Sequence, residues 1–183
     1  MKTGLVTTAG AVVLGFTAMA WAQAPSPTNR EQGAAMSDTS AKGFLTHAAQ
    51  GGMAEVELGR LAESKAQSAD VKAFAQQMVT DHSKAGDEIK ALAVKKNIVL
   101  PTAIEPKHKA ERDKLAALSG PAFDKAYVEA MLTDHEKDVS EFKHQSTMNQ
   151  DPDVKTWATK TLPTLEAHLN RVKNLRKSVS GTE

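Results

Sequence analysis

Four side chains in this sequence are of types that bind transition metals, and each falls on the inward face of a predicted helix. Glutamate offers a carboxylate oxygen and histidine an imidazole nitrogen, both common ligands of Zn, Fe, Mn and Cu. Steps of three and four residues mark one face of an α-helix. Such steps place Glu55 in the series 44, 48, 51, 55, 58, 62 and His82 in 71, 75, 78, 82, 85. They place His135 in 128, 131, 135, 139, 142 and His168 in 161, 165, 168, 172.

The same four residues are predicted to lie at similar heights along their helices. Glu55 is about 12 residues before a turn near residue 67, and His82 is about 15 residues after it. His135 is about 15 residues before a turn near residue 150, and His168 is about 18 residues after it. At about 1.5 Å per residue each mismatch is only about 4 to 5 Å. An up-down-up-down bundle would therefore bring all four toward one layer.

An internal repeat supports two of these positions. Residues 72–84 align with residues 125–137 at a shift of 53, with identical Lys, Ala, Met, Thr, Asp, His and Lys at matching positions. The duplicated Thr-Asp-His favours equivalent metal-binding roles for His82 and His135. The alternative is an ancient helical duplication in which the aspartates and histidines only pack.

Three aspartates are predicted to support the ligands. Asp81 and Asp134 are rotated by about 100° from the histidines that follow them, which suits hydrogen bonding to a ring N–H of a neighbouring helix. Solvent exposure of both is the alternative. Asp138 shares the face of His135 and is predicted to bridge to that histidine or to the metal. His47, two turns before Glu55, is a further ligand candidate.

A metal-free interpretation stays open beside the metal site. A single inward histidine is often bonded to a backbone carbonyl or an acid, and a single inward glutamate can extend its carboxylate to solvent. Burial of all four groups without partners would cost several kcal/mol for an unpaired carboxylate. Either a metal ion or a Glu-His salt-bridge cluster would remove this cost. The alternative is therefore a polar structural core that sets helix register.

Long amphipathic segments carry these groups and predict an all-α fold. Abundant Ala, Lys, Leu and Glu with few aromatic residues favour helix over sheet. We expect an antiparallel four-helix bundle over residues 37–180, with a kink at Pro163 and a short extra helix at about 106–118. Gly51 and Gly52 are expected to allow close helix approach or to mark a break before Glu55. The predicted starts are the Ser and Asp cluster at 37–40, Ser68, Pro121 and Asp151-Pro152.

The first 22 residues are predicted to be a secretory signal peptide. Lys2 precedes an apolar stretch from Leu5 to Ala18, and Ala20-Trp21-Ala22 forms a small-x-small cleavage pattern. Cleavage after Ala22 would export the protein, to the periplasm or beyond, and an uncleaved anchor is the alternative. Residues 23–36, rich in Pro, Ser, Gln and Gly, are predicted to form a flexible leader.

Composition excludes several classes of site and partner. The sequence contains no Cys, so thiolate metal sites, disulfides and a Cys nucleophile are absent. Its 23 Lys and Arg balance 22 Asp and Glu without charge runs, which argues against nucleic acid and, after signal cleavage, against membrane association. It has neither a Gly-rich phosphate loop nor a G-x-S-x-G motif, so we expect no nucleotide, no organic cofactor and no hydrolase. Protein partners and oligomeric state are not revealed.

Residues 51–62, 71–83, 123–135 and 165–168 resemble an exported bacterial family catalogued as domain of unknown function 4142. The resemblance covers roughly residues 40–179. It implies a ferritin-like four-helix bundle in an exported protein, often labelled as an outer-membrane protein, with the four candidate ligands at the family's polar positions. The sequence departs from ferritin-like di-iron proteins, because no Glu-x-x-His precedes any candidate histidine. That di-iron ligand set therefore cannot be carried over.

The resulting hypothesis is an exported bundle that binds one transition metal ion, Zn, Fe, Mn or Cu, through Glu55, His82, His135 and His168. The alternative is a structural or stress-related exported protein with a metal-free polar core. An oxidase would need a second metal and more carboxylates than the sequence offers.

Overall fold

A computed structural model describes Met1 and residues 29–181, with side chains from residue 41 onward. The predicted signal peptide and the first part of the predicted leader lie outside these residues. The described part contains five helices and no strand, which confirms the all-α prediction and the short connector helix. No helix in this part is long and apolar enough to cross a membrane. The helices are α1 (Asn29–Lys65), α2 (Ala69–Lys95), α3 (Pro106–Ala116), α4 (Gly120–Met148) and α5 (Pro152–Ser180).

The capping residues Ser68 and Asp151 begin their helices as predicted. The Ser68 hydroxyl accepts the N–H of Val71, and Oδ1 of Asp151 accepts two backbone N–H groups at 3.0 and 3.1 Å. Asn97, just after α2, takes the left-handed conformation with φ of 54° that ends many helices. α5 continues through Pro163.

α1 begins at Asn29, earlier than the predicted cap at 37–40. Residues 29–36, which were expected to belong to a flexible leader, are therefore helical. Most residues from 30 to 36 are good helix formers, and lengthening an existing helix is cheaper than starting a new one. The local capping signal at 37–40 is therefore overridden.

The four long helices close a ring in the order α1, α2, α5, α4. Near the start of α4, the Asp124 carboxylate accepts the backbone N–H groups of residues 67–68, at the α1–α2 turn, at 3.0 and 2.7 Å. Just after α2, Lys96 pairs with Asp151 and Asp153 at the start of α5, at 2.6 and 3.0 Å. α2 and α4 therefore run in the same direction, while each pair of neighbours in the ring is antiparallel.

The described helices do not have the up-down-up-down order that the height comparison assumed, although neighbouring helices are antiparallel as predicted. The connector between α2 and α4 returns along the length of the bundle, with α3 packed on α1 and α4. Arg112 of α3 donates to Glu57 of α1 at 2.7 Å, and Lys65 donates to the carbonyl oxygen of Ala116. The connector is long enough to cross the bundle and is held along α1 as it does so.

Two apolar clusters fill the interior, and a polar layer separates them. One cluster includes Leu58, Phe74 and Tyr127, and the other includes Phe44 and Trp157. Each predicted ligand lies between residues of the two clusters on its own helix. Glu55 lies between Ala49 and Leu58, His82 between Met78 and Ile89, His135 between Leu132 and Phe142, and His168 between Leu165 and Val172.

Close helix approach occurs at Gly59, and not at Gly51 or Gly52 as expected. A Cβ at Gly59 would lie 2.8 Å from Cγ2 of Val79 and 3.1 Å from the carbonyl oxygen of Ala75, both in α2. A Cβ at Gly51 or Gly52 would meet nothing within 4 Å, and α1 is continuous through both. Both expected roles are therefore wrong, although each glycine costs about 1 kcal/mol of helix stability relative to Ala.

Candidate metal centre

The polar layer consists of Glu55, His82, His135 and His168, one from each long helix. Their exposed fractions are 3, 6, 0 and 0% respectively. The helical periodicity of the sequence therefore placed all four inside the bundle correctly. The three imidazole rings lie together, with centroids separated by 5.3 to 5.7 Å.

Each histidine has one ring nitrogen held by an acceptor at the edge of the cluster. Nδ1 of His82 lies 2.8 Å from Oε2 of Glu55, and Nε2 of His168 lies 2.8 Å from Oδ2 of Asp81. Nδ1 of His135 lies 2.9 Å from the carbonyl oxygen of Met131, one turn earlier in α4, and 3.5 Å from Oε1 of Glu55. Because all these partners are acceptors, each of these ring nitrogens carries the proton in the neutral imidazole.

The opposite nitrogens are therefore lone-pair acceptors, and they face one another. Nε2 of His135 lies 3.3 Å from Nδ1 of His168. Nε2 of His82 is buried and has no hydrogen-bond partner among the described residues. One ring nitrogen from each of these three histidines can be chosen so that all lie within 4.8 Å of one another. Three buried histidines thus form a group that could hold a metal ion.

The donor set fits a metal ion on three counts. Two nitrogens bound at about 2.0–2.1 Å to a tetrahedral ion lie about 3.3–3.4 Å apart, which matches the separation between His135 and His168. Facing lone pairs repel each other unless a cation or a proton lies between them. A metal would also satisfy the unpartnered nitrogen of His82.

Burial keeps the imidazoles neutral and therefore able to act as ligands. Burial lowers the pKa of His82 to about 4. It also lowers the pKa values of His135 and His168, although Glu55 and Asp81 respectively oppose the effect. Burial raises the pKa of Glu55 to about 7, with His135 acting in the opposite direction. Near neutral pH the cluster therefore contains three neutral rings and a carboxyl group that titrates in that range.

The predicted support residues occupy different environments. Asp81 hydrogen-bonds to the ring of His168 on a neighbouring helix, which is the kind of contact predicted for it. Asp134 instead lies 3.7 Å from Lys137 on its own helix. Asp138 hydrogen-bonds to Glu55, and burial raises the pKa of Asp138 well above its usual value. A protonated Asp138 can therefore donate the hydrogen bond to the Glu55 carboxylate.

The repeat explains the contrast between the two aspartates. Asp81 lies in α2, which packs on α5, and there it meets His168. Asp134 lies in α4, which packs on α1, where the polar-layer residue is Glu55. The proximity of Asp134 raises the pKa of Glu55, since two carboxylates repel. Equivalent positions in the sequence therefore have different partners.

His47, the further ligand candidate, lies outside the three-histidine group. Its Nδ1 is 2.9 Å from Oε2 of Glu141, and its side chain is half exposed. Both residues line a cleft of about 970 Å³ that extends inward to Glu55 and His82. Exposed residues such as Lys107 line its outer part.

Sequence reasoning missed two contributors to the cluster. The carbonyl oxygen of Met131 is a backbone group, and no residue type signals that it will bond a ring nitrogen. The ring of Phe74 packs 6.5 Å from His135 and 6.2 Å from His168, centroid to centroid. Its position on the α2 seam next to Ala75 was a usable signal for this contact.

Comparisons with known proteins identify the fold and the family. A crystal structure of a DUF305 fragment from Deinococcus radiodurans has a TM-score of 0.67 and 15% identity, covering 75% of this chain and 95% of that one. The structure of CopM in the Cu(II)-bound form has a TM-score of 0.65 and 16% identity, covering 75% and 96%. At these identities the likeness concerns the fold alone. No curated protein matches the chain. Residues 25–175 match the family described as Domain of unknown function (DUF4142), and the chain therefore belongs to this family.

Proposed function

We propose that this protein binds one transition metal ion in the polar layer, through Nε2 of His82, Nε2 of His135 and Nδ1 of His168. The observation that carries the proposal is the pair of facing nitrogens of His135 and His168, 3.3 Å apart. Their opposite nitrogens are both held by acceptors, so the space between the rings needs a cation. The unpartnered Nε2 of His82 gives independent support.

Glu55 has a supporting position in this proposal, in place of the ligand role suggested by the sequence. Its two oxygens lie on the Nδ1 side of His82 and His135, at 2.8 and 3.5 Å, whereas the ion takes the Nε2 side of both rings. From there the carboxylate orients both rings and offsets the charge of the ion. A carboxylate that holds the outer nitrogen of a ligating histidine also raises the basicity of the ring.

Three imidazoles, of which His135 and His168 are at tetrahedral spacing, suit Zn and Cu well, and Fe and Mn also accept imidazole. CopM has been solved with Cu(II), so copper belongs in any set of metals that is tested.

The surrounding bundle is proposed to be ferritin-like, which is supported by antiparallel neighbours and one connection that crosses the bundle. Export, with cleavage after Ala22, is part of the proposal and rests on the sequence pattern of residues 1–22.

Metal analysis and thermal melts test the proposal. The protein should contain metal when purified from its native compartment. After chelation, one of Zn, Mn, Cu or Fe(II) should raise its melting temperature, because an ion that binds only the folded state adds about 2.7 kcal/mol at 100 times Kd. His135→Ala should abolish this rise. His144→Ala is the matched control, since His144 is exposed on the same helix and lies outside the cluster.

A metal-free polar core predicts a different result. In that state a proton on Nδ1 of His168 would bridge to His135, and the charged ring would pair with Asp81. His135→Ala would then destabilise the protein by about 1 to 3 kcal/mol through a lost buried hydrogen bond. No metal would change the melting temperature of either protein. A parent protein that responds to none of the four metals would therefore refute metal binding.

A further inference from the structure

The three-histidine cluster is enclosed by the bundle, so an ion from solvent must pass through the protein to reach it. His135 and His168 are fully buried, and His82 is 6% exposed. The cleft of about 970 Å³ has exposed residues such as Lys107 in its outer part and is lined by His82 and His168 at its inner end. The cleft therefore connects solvent to the rings that are proposed to hold the metal.

Carboxyl groups follow one another from the outer part of the cleft to the cluster. Glu141 is 30% exposed and lies 2.9 Å from the ring of His47. Asp138, three residues earlier, is a neighbour of Glu141 on the surface of α4 and hydrogen-bonds to Glu55. Glu55 in turn lies 2.8 Å from Nδ1 of His82. Oxygen atoms that attract cations are thus present along the whole length of the cleft.

The charge of the lining favours a cation. Nine carboxyl side chains and five Lys or Arg side chains line the cleft. Burial raises the pKa of Asp138, and repulsion from its neighbours Glu55 and Glu141 raises it further. A passing cation would relieve this repulsion. Clefts with an excess of one sign of charge concentrate ions of the opposite sign and speed their association by about 10- to 1000-fold.

Open space and a neutral ring lie along the same series of carboxyl groups. Gly51 lies between His47 and Glu55 on one face of α1, at steps of four residues. A Cβ at Gly51 would meet nothing within 4 Å, so the passage is open where a packed side chain would close it. Nδ1 of His108, on α3, is buried without a hydrogen-bond partner among the described residues. Burial lowers the pKa of His108, so its ring adds no positive charge near neutral pH.

We propose that a transition metal ion enters and leaves the three-histidine site through this cleft, guided by Glu141 and Asp138. Glu141 attracts the ion in the outer part of the cleft, and the ion passes Gly51 and Asp138 on its way to the rings. This inference rests on the proposed metal function and adds the route by which the site is filled.

Reversal of one charge inside the cleft tests the route. The sequence contains no Cys, so the thiol of a Gly51→Cys variant can be labelled selectively, through a disulfide, with a cationic ethyltrimethylammonium or an anionic ethylsulfonate group. The label leans toward the preceding turn of α1, beside His47 and away from Glu55. Both labelled forms should keep the metal-induced rise in melting temperature, because all three ligands remain in place.

Stopped-flow mixing of Zn(II) with the metal-free protein, followed with a rapidly exchanging indicator dye, gives the association rate. The cationic form should bind Zn(II) at least about tenfold more slowly than the anionic form at low salt. The difference should shrink at about 1 M salt, where the screening length is about 3 Å. Gly43→Cys is the control, since Gly43 is an exposed glycine of α1 outside the cleft, and its two labelled forms should bind at equal rates. The other three metals replace Zn(II) in turn if Zn(II) does not bind.

Glu141→Gln tests the same route without a label. Removal of this carboxylate should slow association by about twofold to fivefold at low salt. The internal repeat supplies the control Glu88→Gln, because Glu88 matches Glu141 at the shift of 53. Glu88 is 28% exposed, pairs with Lys160 and does not line the cleft, so its loss should leave the rate unchanged.

Equal association rates for the two labelled forms of Gly51→Cys, in protein that still binds metal, would overturn the route and leave metal binding standing. Equal slowing in Glu141→Gln and Glu88→Gln would also overturn it, because overall charge and not the cleft would then control entry. Absence of binding of all four metals by the parent protein would overturn both proposals.

Discussion

Asp81→Asn tests how the ring of His168 is held for metal binding. Asp81 lies 2.8 Å from Nε2 of His168 and directs the lone pair of Nδ1 toward His135. An asparagine can keep the acceptor oxygen near its place and removes the negative charge. The internal repeat supplies the control Asp134→Asn, because Asp134 is the matching residue of α4 and makes no hydrogen bond to a histidine ring in the described structure.

The expected effect follows from the contact and its exposure. Loss of a carboxylate that orients a ligating histidine weakens metal binding about 10- to 100-fold. With free metal at about 100 times the parent Kd, stabilisation by the ion would drop from about 2.7 to about 1.4 or 0.4 kcal/mol. This corresponds to a loss of about 3 to 9 °C in the metal-induced rise of the melting temperature. Asp81 is 30% exposed, so solvent screens part of the interaction and we expect the lower half of that range.

Competition with a chelating dye gives Kd, and melts with and without metal give the stabilisation. Asp134→Asn should change Kd less than twofold. Equal losses in the two variants would refute the reasoning, because they would show that general charge, and not the bond to His168, controls affinity. An unchanged Kd in Asp81→Asn would also refute it.

Three further predictions concern protons, packing and export. Metal affinity should fall as pH falls in more than one step, first near pH 7 as Glu55 gains a proton and then below about 6.5 as the three buried histidines gain theirs, since burial lowers all three pKa values and that of His82 to about 4; a single step at about 6.5 in a pH-dependent dye titration would contradict this. Gly59→Ala should destabilise the protein by about 1 to 3 kcal/mol in urea unfolding through overpacking against α2, whereas the control Gly86→Ala should stabilise it by up to about 1 kcal/mol. Intact-mass measurement of the exported protein should show a chain that starts at Gln23, and a mass that retains residues 1–22 would favour the uncleaved anchor.

Local sequence signals were sufficient to determine the starts of α2 and α5 and the four polar residues inside the bundle, but not the start of α1. Ser68 and Asp151 cap α2 and α5 because a side-chain oxygen next to free backbone N–H groups acts within a single turn. The step of three and four residues identified the inward face, since helical geometry fixes it without reference to the other helices. Glu55 and the three histidines are all buried for that reason.

The prediction of one polar layer succeeded although the structure lacks the up-down-up-down order that the prediction assumed. His82 lies 13 residues from each end of α2, and the other three residues of the polar layer also lie well inside their helices. If the α4–α5 hairpin is turned end to end, residues near the middle of its helices keep almost the same height along the bundle axis. The four residues therefore lie at similar heights both in an up-down-up-down bundle and in a bundle whose connector crosses its length.

Only the tertiary structure decided which groups meet across helices. Asp81 and Asp134 are equivalent in the repeat, yet α2 packs against His168 on α5 and α4 packs against Glu55 on α1. Helical spacing states which face a histidine occupies, and it says nothing about which ring nitrogen faces inward. That orientation depends on which acceptor the histidine side chain reaches, such as the Met131 carbonyl, and packing in the core selects the rotamer that reaches it.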